Sequence, residues 1–373
     1  MNFAAVSHDE HIRPTRAEID LSALLHNLVV VRGQARVPVF AVVKADAYGH
    51  GLVPVATKLA EGGVDGLCVA LVEEALRLRD AGIETPIVVL NGIYGGAHQE
   101  VLEAGLTPVV YDLADIEAFA RAPRADVHLK VDTGMHRLGI PARELSRFLD
   151  GLARFPNVRV TGLMSHLSAA ESDEAETAAQ LERFYDARRR IEERGHRPTS
   201  IHIANSAGAL LREATGATMV RAGVALYGVP PRPELDFDLR PVMRVVTGVV
   251  RVATVEAGGH VGYNGTFTAE KDTRVATLAI GYGDGLMRHL SNRGSVLIRG
   301  ARCPIAGSVS MDLTGVDVSA LETCERGDEA VILGEQGEGR LTADELAAWA
   351  GTIPYEILTS IAPRVPRVYL DEP

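Results

Sequence analysis

The chain has 373 residues, 46% of them hydrophobic and 23% charged, with a formal net charge of −11. Ordinary globular composition at this length predicts two domains, or one large barrel with an appended domain, and excludes collagen-like and low-complexity chains. The acidic balance argues against nucleic acid or an anionic membrane as partner, and no apolar run approaches the length of a membrane-spanning helix.

The first 14 residues carry Asp9, Glu10 and two histidines and no apolar stretch, so no secretory signal is predicted. Three cysteines (Cys68, Cys303, Cys324) stand far apart without a CxxC pair. That pattern fits a reducing compartment and argues against a disulfide framework or a zinc site. A cytoplasmic location is expected, with no metal.

From residue 15 to about 221, short β-branched runs alternate with amphipathic stretches. The runs are 38–43, 66–70, 86–90, 107–111, 126–131, 158–164, 200–204 and 217–221. Most are apolar throughout, as strands buried on both faces should be, and helical patterns such as 72–78 and 175–194 lie between them. Eight βα units in roughly 200 residues fit a (β/α)8 TIM-type barrel better than an open doubly wound sheet, although counting strands does not prove closure. The proline-rich segment 230–241 reads as a linker. Runs at 242–255, 274–280, 294–298 and 329–333, separated by Gly, Asn and Asp turns, predict a mostly-β domain with one late helical pattern at 342–349. The expected domains are therefore 1–241, the α/β barrel, and 242–373, the β-rich domain.

A barrel of this kind carries its chemistry at the C-terminal ends of its strands. The first run ends on Lys44, followed by Ala45-Asp46-Ala47-Tyr48-Gly49-His50-Gly51. A lysine flush against a buried strand loses hydration, which brings its neutral amine within reach for Schiff-base chemistry with an aldehyde cofactor. Lysine is otherwise scarce: Lys44, Lys58, Lys130 and Lys271 are the only four among 38 basic residues. The fifth run leads into Lys130-Val131-Asp132 and on to Arg137. The sixth ends on Ser165 and His166, the seventh on Asn205 and Ser206, and the eighth on Arg221-Ala222-Gly223-Val224. The last two loops are the usual phosphate site of the fold, and Ser206 with the amides of Gly223 and Val224 could cradle one. A lysine, a phosphate cradle and two arginines on one rim outline a pyridoxal phosphate site.

These motifs resemble the alanine racemases, a family of fold-type III pyridoxal phosphate enzymes. The likeness runs through the Lys44–Gly51 motif, residues 130–139, His166, Asn205-Ser206 and Arg221-Ala222-Gly223. It continues at Val261-Gly262-Tyr263, Gly281-Tyr282-Gly283-Asp284-Gly285, Ser310-Met311-Asp312 and Ile353-Pro354-Tyr355-Glu356, and so covers nearly the whole chain. The resemblance implies that Lys44 holds pyridoxal 5′-phosphate and exchanges the Cα proton on one face, with Tyr263 as base on the other. It implies that His166 and Arg221 link this tyrosine to the cofactor, with Arg221 at the pyridine nitrogen. Asn205 falls within the cofactor-binding set, Tyr48, Ser206 and Tyr355 resemble phosphate contacts, and Gly223 and Val224 supply amides. Arg137 resembles the arginine that meets the substrate carboxylate, and Lys130 a family lysine that is carbamylated to brace it. Met311 and Asp312 resemble substrate-pocket residues, with Tyr282 at the entrance.

The family further implies a head-to-tail homodimer with composite sites, alanine as substrate, and D-alanine destined for peptidoglycan. Two departures stand out: Asn264 follows Tyr263 where glycine is common, and Ser310 replaces a common cysteine. A broad-specificity racemase and a fold-type III amino-acid decarboxylase are the alternatives, though decarboxylase substrate motifs are not visible.

Overall fold

The computed structural model describes residues 12–211 and 216–371, so the reading of the N-terminus falls outside the described residues for positions 1–11. The chain divides into two compact units: Ala23–Arg240, and the described residues up to Ser22 together with those from Pro241 onward. The first strand, β1 (Arg16–Asp20), belongs to the second of these.

The Ala23–Arg240 unit is built on parallel strands β2 (Val39–Val42), β3 (Gly66–Val69), β4 (Ile87–Val89), β5 (Thr107–Val110) and β6 (Ala125–Asp132). After β6 come its short partner β7 (Ile140–Pro141), then β8 (Val158–Met164), β9 (Ser200–His202) and β10 (Val220–Ala222). Their order is β10-β2-β3-β4-β5-β6-β8-β9, with every neighbour parallel. Beyond those ladders, the Arg221 amide donates to the Ala204 carbonyl (3.0 Å) and Thr218 to Ile201 (2.8 Å), which bring the β10 side back to β9. The eight expected runs are these eight strands, and the open-sheet alternative falls to the near-closure of the ring.

The helices follow from their patterns. In Val72–Asp80 the buried residues are Val72, Ala75 and Leu78, one stripe at three-residue spacing. Asp173 caps the long helix Glu174–Glu193 by accepting from the Glu176 amide (2.9 Å), and Thr177, Gln180, Phe184, Ala187 and Ile191 form its buried face.

The second unit is mostly β. Its strands are β11 (Met243–Val255), β12 (His260–Val261), β13 (Phe267–Thr268), β14 (Thr273–Leu278), β15 (Ser295–Ile298), β16 (Ala301–Pro304), β17 (Thr314–Asp317), β18 (Glu329–Gln336), β19 (Gly339–Leu341) and β20 (Arg367–Leu370). The long strand β11 organises them, pairing with β1 and β18 over its first half and with β14 over its second.

Here the structure departs from the domain boundary expected at the N-terminal end. β1 lies antiparallel to β11 and parallel to β20, so the segment read as the start of the barrel domain is a strand of the β-rich unit. Strict alternation explains it: Ala17 and Ile19 are fully buried while Arg16, Glu18 and Asp20 are partly exposed, the signature of a one-sided sheet strand. Thr15 adds an anchor, its hydroxyl 2.8 Å from that of Thr247 and donating to the Ala279 carbonyl (2.6 Å). Ile19→Ala should therefore destabilise the protein by about 3 kcal/mol. The change would be read as a lowered urea midpoint, and an unchanged midpoint would place Ile19 outside the packed core.

Candidate active site

The barrel interior is polar on one side of β6. Residues 128 and 130 share a face by the two-residue period of a strand, while Val127, Leu129 and Val131 share the other, and all five are buried. His128 does not meet its neighbour on β8; it reaches across it. Its ladder partner there is Gly162, where an added Cβ would stand 2.2 Å from the imidazole ring. Only glycine lets His128 reach His202 on β9, and the two rings hydrogen-bond at 3.0 Å (Nδ1 of His128 to Nε2 of His202).

This pair ends on Arg221, a guanidinium only 2% exposed. Arg221 donates to His202 Nδ1 (2.9 Å), to the Ser165 carbonyl (2.9 Å), to His166 Nδ1 (3.2 Å) and to the Ile203 carbonyl (3.4 Å). Arginine only donates, so both histidines accept through Nδ1 and carry their proton on Nε2. His202 then donates to His128. Burial, followed by the Arg221 charge, holds His166 and His202 well below the usual imidazole range and His128 down to about 4. All three are neutral at pH 7. Burial also brings Arg221 down to about 10, leaving it charged.

Lys44 sits at the end of β2, and burial together with Arg137 and Arg221 lowers its pKa, against an opposing pull from Glu74. Lys130, 4% exposed, is pushed down to about 8 by burial and then by Arg221, Arg137 and Lys44. After Lys44 the backbone takes an unusual course: Ala45, Asp46, Ala47 and Tyr48 all have φ of +53° to +54°, a turn of left-handed helix. Each such L-residue costs about 1–2 kcal/mol. The turn is held by Glu74, which accepts from the Ala45 amide (2.6 Å), and by Asp46, which accepts from Leu52 (3.0 Å). It delivers the Tyr48 ring against Tyr227, with centroids 4.7 Å apart, and Tyr227 donates to the Val42 carbonyl at 3.0 Å.

Tyr48 closes a small cradle. A Cβ at position 223 would lie 2.5 Å from the Tyr48 hydroxyl, so Gly223 permits that approach. Ser206 Oγ accepts from the amides of Gly223 (2.9 Å) and Ala225 (3.3 Å), and Asn205 Oδ1 accepts from Gly208 (3.0 Å). Val224 follows in the short 3-10 turn Val224–Tyr227. At the end of β6, Asp132 accepts from the amides of Gly134 (3.0 Å) and His136 (3.1 Å), shaping the loop that carries the exposed Arg137.

The remaining expected residues lie on the β-rich unit. Tyr263 is 71% exposed and begins a tight turn in which Asn264 adopts φ +62°. Asparagine tolerates that region better than other side chains, so the substitution for glycine keeps the turn. Ser310 Oγ donates to the Leu313 carbonyl (2.6 Å), closing the loop that presents Met311 and Asp312. The Gly281–Gly285 segment is a turn that carries the fully buried Asp284. That carboxylate pairs with Arg13 and Arg364 (2.7 Å each), and Arg364 also holds Asp312 at 2.9 Å. Tyr282 and Tyr355 are both partly exposed, at 43% and 42%.

Two family models match the chain: "Alanine racemase, N-terminal domain" over residues 19–231 and "Alanine racemase, C-terminal domain" over 242–369. The chain belongs to the alanine racemase family. The alanine racemase of Sorangium cellulosum is 46% identical over 96% of this chain and 99% of its own length, and that of Symbiobacterium thermophilum 43% identical over 96% and 97%. Among solved structures, alanine racemase from D-cycloserine-producing Streptomyces lavendulae superposes with a TM-score of 0.92 at 38% identity, covering 97% of this chain and 98% of that one. The Bacillus anthracis alanine racemase, solved with bound L-Ala-P, gives 0.91 at 34%, covering 97% and 96%. The enzyme is thus an amino-acid racemase, and its reaction is the interconversion of the alanine enantiomers.

Lys44, Lys130, His166 and Arg221 share this rim with His128, His202 and Glu74, three residues that no sequence motif singled out. The polar alternation 128-130-132 within β6 was the available signal for His128. These buried histidines set a pH dependence. His128 holds its proton less well folded (about 4) than unfolded (6.5), so its contribution to stability is complete above pH 6.5 and is lost as pH falls towards 4. That loss amounts to about 3 kcal/mol. In His128→Asn the decline in urea midpoint between pH 6.5 and 4.5 should be shallower by about one proton; an unaltered slope would show that His128 titrates normally.

Proposed function

We propose that this enzyme interconverts L- and D-alanine with pyridoxal 5′-phosphate held at the C-terminal rim of the barrel, using one base on each face of the substrate. The observation that carries the reading is a partly buried lysine at a barrel strand end, its pKa lowered by burial and by Arg137 and Arg221, on the rim that also carries neutral histidines and a hydroxyl-amide cradle. The cradle residues suit a phosphate: Tyr48 and Ser206 carry hydroxyls, Val224 a backbone amide, and the Gly223 amide, which rests on Ser206 Oγ, would turn to a phosphate oxygen. Asn205 orders the start of the Ser206–Leu211 helix, and Tyr355 is assigned as a further phosphate contact.

When bound, the cofactor supplies an electron-withdrawing ring that stabilises the negative charge left at Cα. Lys44 would hold it and, with a lowered pKa, would take or return a proton on one face of Cα. Arg221 would face the pyridine nitrogen as a donor that keeps its own protons, and such a donor would leave the ring a weaker electron sink and favour return of the proton to Cα. His166, neutral with its proton on Nε2, is the donor assigned to steady Tyr263 as the opposite base. Arg137 is assigned to the substrate carboxylate, with Met311 and Asp312 as pocket residues and Tyr282 at the entrance.

Lys130 is proposed to be carbamylated: its neutral amine attacks carbon dioxide, an N–C bond forms and a proton leaves to water. A cation among Arg221, Arg137 and Lys44 then becomes an anion that they stabilise.

Tyr263, Met311, Leu313 and Ile353 are 71%, 53%, 45% and 57% exposed, an apolar presentation that suits a second copy of the chain. We assign a head-to-tail homodimer in which Tyr263 of one copy serves Lys44 of the other. Among the described residues no helix is long and apolar enough to cross a membrane, and the proposed setting is the cytoplasm, with D-alanine passing to peptidoglycan.

Chiral analysis of alanine, serine and lysine incubated with the loaded enzyme tests specificity; equal turnover of lysine would replace this reading by a broad racemase. Lys44→Ala should abolish the borohydride-reducible cofactor adduct, and Tyr263→Phe should keep cofactor absorbance while racemisation collapses. Mixing the two inactive variants under exchange should restore about a quarter of wild-type activity, because half the dimers then carry one intact composite site. No recovery on mixing would place both bases on the same chain.

A further inference from the structure

The left-handed turn after Lys44 raises a physical question: four successive L-residues hold a disfavoured conformation, and something outside the turn must determine it. Among the described residues, the carboxylate of Glu74 meets it from the helix Val72–Asp80. One oxygen, Oε1, accepts from the Ala45 amide at 2.6 Å. The other, Oε2, accepts from Ala70 (2.7 Å) and Leu71 (3.1 Å) at the corner between β3 and that helix. A single side chain therefore ties two adjacent strand ends together, one of them the strand end that carries Lys44.

We propose that Glu74 is a positioning residue for Lys44, its bridging carboxylate fixing the left-handed turn and thereby the point from which the amine leaves β2. The chemistry requires a carboxylate of this length. Glutamine offers one acceptor oxygen and one N–H2, so one set of donors must face another donor. Aspartate, one methylene shorter, still caps the corner amides of its own helix but does not reach Ala45. The carboxylate also acts through space. The titratable groups around Lys44 are Glu74, Arg137 on the loop after β6, Arg221 on β10, Cys68 on β3 and Lys130 on β6, and Glu74 heads the two that favour the charged amine.

The inference rests on the assignment of Lys44 as the cofactor lysine, and its test separates the two. In full-length protein freed of small molecules, the pH dependence of Lys44 modification by an amine reagent is read by peptide mapping; kcat is measured on the loaded enzyme. Glu74→Asp should melt within a few degrees of wild type yet lose about tenfold to a hundredfold in kcat, as expected for a misplaced reactive group. Glu74→Gln should shift the midpoint of Lys44 modification to lower pH, which a merely structural corner residue would not do. Should the glutamine variant fail to fold, the aspartate variant decides alone. Wild-type kcat in Glu74→Asp, or an unmoved midpoint in folded Glu74→Gln, overturns the inference. If Lys44→Ala keeps its cofactor adduct, the assignment of Lys44 itself fails instead.

Discussion

The barrel rim is organised by one buried charge. Arg221 is almost fully withdrawn from water, and a guanidinium in that position needs acceptors for its N–H groups. It finds them on the ends of two neighbouring strands, β8 and β9: the carbonyls of Ser165 and Ile203 and the Nδ1 atoms of His166 and His202. Because arginine never accepts, these contacts dictate the tautomers of both histidines, and through His202 that of His128. The same charge, added to burial, depresses Lys44, Lys130, His128, His166 and His202. Protonation states across the rim are therefore coupled to one residue, whose own pKa near 10 keeps the coupling in place at neutral pH.

The second constraint is backbone strain beside Lys44. Four left-handed residues at roughly 1–2 kcal/mol each persist only where surrounding contacts over-determine them. Glu74 and Asp46 bond the turn from outside, and His50 Nδ1 lies 3.0 Å from the carbonyls of both Ala47 and Tyr48 while its ring packs on Tyr227. The result is a short connection that follows Lys44 directly with a turn delivering the Tyr48 ring against Tyr227 and its hydroxyl beside Gly223.

Much of this architecture was legible in the chain. The eight apolar runs correspond to β2–β6 and β8–β10, because strands buried on both faces leave an unbroken β-branched signature. What escaped was non-local. β1 carries an ordinary alternating pattern, and nothing within five residues says that its partners are β11 and β20, more than two hundred positions away. His202 reads as one polar residue in a short strand; its role depends on Gly162 standing clear between it and His128. Glu74 falls inside the helical pattern 72–78, and its three backbone donors come from a corner and a turn whose conformation no local pattern announces. Asp284 was likewise hidden inside a glycine-rich turn, since its ion pairs reach Arg13 and Arg364 at opposite ends of the chain.

The lysines and arginines of the rim now separate by what each must do with a proton. A chain that uses arginine for 34 of its 38 basic positions keeps lysine at 44 and 130, both on barrel strand ends and both with lowered pKa. Burial lowers all three cations of the cluster from different starting points: Lys44 falls, Lys130 reaches about 8, and Arg221, at about 10, stays charged. Arg221 can thus serve as a fixed donor and a fixed field, while Lys44 and Lys130 are the groups that titrate within it. Exchanging the two residue types would preserve net charge and volume approximately, yet would remove the only amines able to become nucleophiles or bases there. The scarcity of lysine elsewhere makes visible a division of roles that the packing of Arg221 imposes.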